Sequence, residues 1–130
     1  MPRAYTVATA ALALGMPVKW VDNLLSHYKV PGIRQERQGI ARRLSMEGLL
    51  ILAITVLLVD ELGLPTGRAL VVAEGIIENG GRFAAPKGLS VEIDLPVFEA
   101  GLIERLESAV EVAPIPRRGR PPANKTGRLD

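Results

Sequence analysis

The chain has 130 residues, 48% of them hydrophobic, with a net charge of +2 and no cysteine. That size and apolar content suit one domain with a real core, and the missing cysteine excludes disulfide scaffolds, thiolate metal centres and cysteine nucleophiles. The small net charge conceals a partition: +5 over residues 1–44, −7 over 45–113 and +4 over 114–130. Segregation of this kind offers cationic surfaces to a polyanion and leaves an acidic remainder.

The first element, "YTVATAALAL" from Tyr5 to Leu14, has apolar residues at helical spacing (Val7, Ala10, Ala11, Leu14) and Thr6 placed as its cap. Its apolar stretch is too short, and its positive flank too thin, for a secretory signal. After Gly15-Met16, Pro17 opens a second helix, "PVKWVDNLLSHY", with Val18, Val21, Leu24 and Leu25 on one face. Two short helices joined so tightly outline a helix-turn-helix, whose second helix enters the major groove. Lys19, Asn23 and His27 recur at i, i+4 and i+8 on its polar side. Lys19 suits a phosphate or a guanine and Asn23 can read adenine, against the plainer reading of a solvated face. His27, the only histidine, has no neighbour at a metal-ligand spacing, so no metal is expected. Trp20 is expected to pack beside the following hairpin rather than on a base.

Pro31-Gly32 breaks the helix, and "GIRQERQGIARRL" reads as two short strands around a polar turn near Glu36 to Gly39. Arg34, Arg37, Arg42 and Arg43 would make this hairpin a basic wing. Arg42 and Arg43, being adjacent in a strand, point to opposite faces, so at most one can contact the same phosphate row and the other is expected to pair with an acid of the body. Ser45 then caps a long helix over Met46–Leu62, apolar nearly all round and closed by Gly63. Its apolar run, Leu49 to Val59, would span only about 16 Å of a bilayer, which marks a core helix and a soluble, cytoplasmic chain.

A further helix is expected over Gly67–Glu78, with Leu70, Val71, Ala73, Ile76 and Ile77 inward. Beyond Asn79-Gly80-Gly81, the alternation of Leu89, Val91, Ile93 and Leu95 predicts a half-buried strand, the second arm of a hairpin turning at Pro86-Lys87-Gly88. An amphipathic helix from Pro96 to Val112 follows, with Glu104, Glu107 and Glu111 on its solvated side. The last stretch, "APIPRRGRPPANKTGRLD", has no apolar periodicity and carries Arg117, Arg118, Arg120, Lys125 and Arg128. Its composition is that of a disordered basic tail.

Residues 4–78 resemble the winged helix-turn-helix of MerR-type DNA-binding domains. The matching pieces are Tyr5-Thr6, Leu14-Gly15-Met16, Gly39 with Arg42-Arg43-Leu44-Ser45, Glu47-Gly48-Leu49, Leu62-Gly63-Leu64-Pro65 and Ala69. The resemblance implies DNA binding by the second helix and the wing. Asp22 and Asn23 stand where such proteins tend to place a basic or aromatic cluster, and no cysteine serves a metal sensor. Arg118-Gly119-Arg120-Pro121 is similar to the core of an AT-hook, which lies in the narrow minor groove of A·T-rich DNA. A tail that touches phosphates without preference is the equal alternative.

The expected fold is therefore mainly α with small β-hairpins: a winged helix-turn-helix over 1–80, a hairpin plus helix over 81–113 as dimerisation region, and a basic tail over 114–130. The partners expected are double-stranded DNA, A·T-rich if the tail enters the minor groove, and a second copy of the chain. Transcriptional regulation or a nucleoid-type architectural role follows, with Lys19, Asn23, His27, Arg34, Arg37, Arg42, Arg43, Arg117, Arg118 and Arg120 as contacts. Nothing reads as a nucleophile with its base, a phosphate-cradling loop, a cofactor site or an effector site, so no enzyme is expected. The competing class is a protein-interaction adaptor, antitoxin-like or phage-packaging, with DNA contact secondary.

Overall fold

The computed structural model describes residues 4–34 and 42–112, a mainly helical chain with two small antiparallel sheets. The turn of the first hairpin with Arg37, and the tail with Arg117, Arg118 and Arg120, lie outside the described residues. In chain order the elements are β1 (Ala4–Tyr5), α1 (Val7–Leu14), α2 (Val18–His27), β2 (Ile33–Arg34) and β3 (Arg43–Ser45). They continue as α3 (Met46–Leu62), α4 (Thr66–Glu78), β4 (Arg82–Ala84), β5 (Ser90–Glu92) and α5 (Leu95–Val112).

Thr6 caps the first helix as its sequence predicts, and Tyr5, just before the cap, belongs to a strand. Thr6 is extended, and its Oγ1 accepts from the Thr9 N–H at 3.1 Å, so the helix cannot begin before Val7. Left outside the helix, Tyr5 pairs with Leu44 of β3, and Ile33 of β2 pairs with Leu44 from the other side, giving the order β1-β3-β2. A helix pair inserted between β1 and β2, with β3 returning between the two strands, fixes α1 and α2 against the sheet. Gly32 makes the crossing to β2 close: its φ is +86°, and a Cβ there would strike Ser45 and Gly48 at the start of α3.

α3 has the boundaries its sequence predicts. Ser45 Oγ accepts from the Gly48 N–H at 3.2 Å, and Gly63 ends the helix in the left-handed region. Helix α3 is buried over most of its length, and the buried Thr55 hydroxyl is satisfied by donating to Ile51 O at 2.8 Å. α4 packs along it. Here the expected inward set needs one correction: Val71 is exposed, and Val72 is buried in its place. The row that faces α3 is Ala69, Val72, Ala73 and Ile76, at i, i+3, i+4 and i+7, which turns Val71 outward. Val18 is likewise exposed, because it stands in the first turn of α2, outside the layer that covers Val21 and Leu24.

The second hairpin turns at Pro86–Gly88 and pairs Phe83 with Val91. Its second strand is shorter than the alternation suggests. Leu89 is exposed, and Leu95 already begins α5, because Asp94 Oδ1 accepts from the Val97 N–H at 3.3 Å and Asp94 O from the Phe98 N–H at 2.9 Å. α5 then runs along α1 and buries Leu102, Leu106 and Ala109. That row is thus covered by the chain's own first helix, while Val97, Ile103 and Val110 of the same helix stay exposed.

Candidate nucleic-acid interface

The joint between α1 and α2 is closed by backbone chemistry. Gly15, at φ +70°, lets its own N–H donate to Leu12 O at 3.2 Å and the Met16 N–H donate to Ala11 O at 3.0 Å. This Schellman arrangement needs a left-handed residue, which glycine adopts without a Cβ penalty. Pro17 follows, extended at φ −64°, and its carbonyl accepts from Trp20 and Val21 as α2 begins. Two helices are therefore held at a fixed angle across three residues.

α2 buries Val21 and Leu24 and leaves Lys19, Asn23, Ser26 and His27 exposed. Lys19, Asn23 and His27 line up as one row, about 12 Å long at 1.5 Å per residue, comparable to the width of the B-DNA major groove. His27 Nδ1 lies 2.7 Å from Asn23 O, where its ring N–H can donate to one of the last carbonyls of the helix. Trp20 is half-buried against the core rather than presented outward. The far end of α2 is seated as well, since Tyr28 packs on Gly67 at the start of α4.

The base of the first hairpin is tied to this same helix. Arg42 donates to Asp22 Oδ1 and to Ser26 Oγ, each at 3.4 Å, the two acceptors being one turn apart on α2. Arg42 does meet an acid, but it stands just before β3, so the two arginines are not adjacent strand residues, and its acid is Asp22 on α2. Asp22 therefore gives the hairpin base a partly exposed ionic contact on α2. Arg43 is half-buried in β3, opposite Arg34 of β2. Lys19, Asn23 and His27 share one exposed row of α2, Arg42 reaches the same helix at Asp22 and Ser26, and the backbone of Arg34 pairs with Arg43 at the hairpin base.

One residue that sequence reasoning passed over is Arg105 of α5, whose Nε–H donates to Ala13 O at 3.0 Å, at the end of α1. The signal was present: it is the only Lys or Arg between Leu95 and Val112, among four glutamates.

Two grooves lie elsewhere. One of about 460 Å³ runs between α1 and α5 beside Leu12, Arg105 and Ser108. The other, about 680 Å³, lies between α4 and β4 and is lined by Glu74, Glu78, Arg82 and Phe83. Burial, and secondly the neighbouring Glu78, push the Glu74 carboxyl above the ordinary glutamate range. Among the described residues no group of three or more histidines and acids could hold a metal, and no helix is long and apolar enough to cross a membrane. Comparison with models of protein families, with curated proteins and with solved structures returned no match.

Proposed function

We propose that this chain binds duplex DNA, as a transcriptional regulator or a nucleoid-associated architectural factor, with α2 in the major groove and the basic hairpin on the adjoining backbone. The observation that carries the reading is the row Lys19, Asn23 and His27, left exposed on a short helix that a fixed turn, a hairpin clamp and Tyr28 all seat. A helix seated at both ends with its polar row exposed can offer that row to a groove, which supports the reading. The likeness to MerR-type domains over residues 4–78 belongs to the same proposal. So do a homodimer, whose interface then lies elsewhere than on the buried row of α5, and a tail that adds phosphate or minor-groove contacts.

Fluorescence anisotropy of the full-length protein on A·T-rich and G·C-rich duplexes across a salt series tests this. Binding is expected to weaken with salt, and joint replacement of Arg118 and Arg120 by alanine should lower the log–log slope by roughly one to two units. Retention of the A·T preference in that variant would remove the minor-groove role of the tail. Failure of the native protein to bind either duplex at low salt would transfer the reading to a protein-interaction adaptor, for which the acidic α4–β4 groove is the natural contact.

A further inference from the structure

We infer that α5 is a brace for the helix-turn-helix and that Arg105 is the positioning residue through which it sets the angle of α2. The inference rests on the DNA-binding reading for its consequence in affinity, whereas its structural half concerns the free protein alone.

α1 is a weak element by itself. It has eight residues, about two turns, and such a helix has little stability in isolation. No acid stands in its first turn and no base in its last, so beyond the neutral Thr6 cap at its start no side chain of its own meets the ends of its dipole. Gly15 and Met16 satisfy Leu12 O and Ala11 O, but these amides leave Ala13 O without a partner from the turn. The partner comes from 92 residues later in the chain. Arg105 Nε–H reaches Ala13 O at 3.0 Å and brings a cation to the negative end of α1.

The packing of α5 on α1 sets where that contact falls. Leu102, Leu106 and Ala109 are buried in the core, and Arg105, itself exposed, follows Leu102 by three residues at the edge of the same face. Four of the eight residues of α1 are alanine, which lets α5 approach closely. Ala13 is two residues before Gly15, and Pro17 begins the next helix with its φ fixed. A shift of the α1 end therefore passes to α2 through a stiff three-residue joint. An arginine among the acids of α5 has a structural reason: a glutamate there has no N–H to offer Ala13 O, and a neutral donor would meet it without the charge.

Arg105→Gln and Arg105→Lys in the full chain, followed by site-resolved amide hydrogen exchange and by duplex anisotropy, test the inference. Arg105→Gln should speed exchange at Gly15, Met16 and the first turn of α2 by about ten-fold, with α3 unchanged, as expected for the local loss of a charge-assisted hydrogen bond. Its duplex affinity should fall by roughly five- to ten-fold while the salt slope stays the same, because Arg105 is turned onto Ala13 O and not toward a phosphate. Arg105→Lys should restore most of both. Exchange that rises equally in α3 and α4 would make Arg105 a general stabiliser and overturn the inference, as would unchanged exchange at the joint. A slope lowered by about one unit would place Arg105 on a phosphate and overturn it too. Should the native protein not bind duplex at all, the exchange result alone decides the brace, and only the proposed function falls.

Discussion

α2 and α5 each carry one apolar row, yet they use their polar sides in opposite ways. In α2 the apolar row of Val21 and Leu24 is buried and the row Lys19, Asn23, His27 is left to solvent. In α5 the apolar row is buried too, but the single cation turns back onto the body to meet Ala13 O, leaving the exposed Glu104 and Glu107 outside. On the DNA-binding reading proposed above, this difference separates a helix that is presented from one that holds it. A helix meant for a polyanion keeps its bases outward, and a supporting helix uses its base at a neighbour's carbonyl end.

The comparison breaks most severely at the α5 seam. Leu106→Ala, at a position 1% exposed, should cost about 2–5 kcal/mol, read as a lowered denaturation midpoint. A loss below about 0.5 kcal/mol would mean that α5 is not part of the core. Next in size, Gly32→Ala forces a side chain into a left-handed backbone against Ser45 and Gly48, and should cost about 1–3 kcal/mol. Calorimetry showing no change there would refute the close crossing of the hairpin over α3.

Lys19→Ala sharpens the contrast from the other side. Stability should move by no more than about 0.5 kcal/mol, since the side chain has no described partner, while the log–log salt slope of duplex binding falls by about one unit.

Much of this was legible in the sequence, and the exceptions have physical causes. Ser45, Gly63 and the apolar run between them determine α3 by local chemistry alone, and its ends fall where caps put them. Tyr5, by contrast, stands just before the Thr6 cap, and only its pairing with Leu44, 39 residues away, makes it a strand. Periodicity located the buried side of α5 but not what covers it, because an apolar row fits a second copy as well as the chain's own α1. The same limit applies to the site. The spacing of Lys19, Asn23 and His27 is a local property and could be read directly, whereas the pairing of Arg42 with Asp22 and of Arg105 with Ala13 O depends on tertiary proximity.

Two smaller effects refine the electrostatics. Asp22→Asn should change stability by less than about 1 kcal/mol, as for a partly exposed ion pair. It should also release Arg42 and remove a negative charge from the α2 face, so duplex affinity rises and the salt slope steepens by up to about one unit. Reduced affinity would show that the clamp matters more than the charge. Glu74 gives the pH-dependent case. Its carboxyl is raised by burial and then by Glu78, so the folded state holds that proton more tightly than the unfolded chain, and the group weakens the fold as pH rises through the carboxylate range. Glu74→Gln should therefore raise the melting temperature slightly at about pH 7 and leave it unchanged near pH 3. A lowered melting temperature at neutral pH would contradict that sign.

The most direct test of the central claim is the salt dependence of duplex binding, measured by anisotropy on the full-length protein with Lys19→Ala and Asn23→Ala beside it. A presented α2 predicts binding that weakens steeply with salt, a slope about one unit smaller for Lys19→Ala, and an unchanged slope with lower affinity for Asn23→Ala. Duplex binding whose affinity and slope are the same in all three proteins would contradict it, because α2 would then present its polar row to nothing but water.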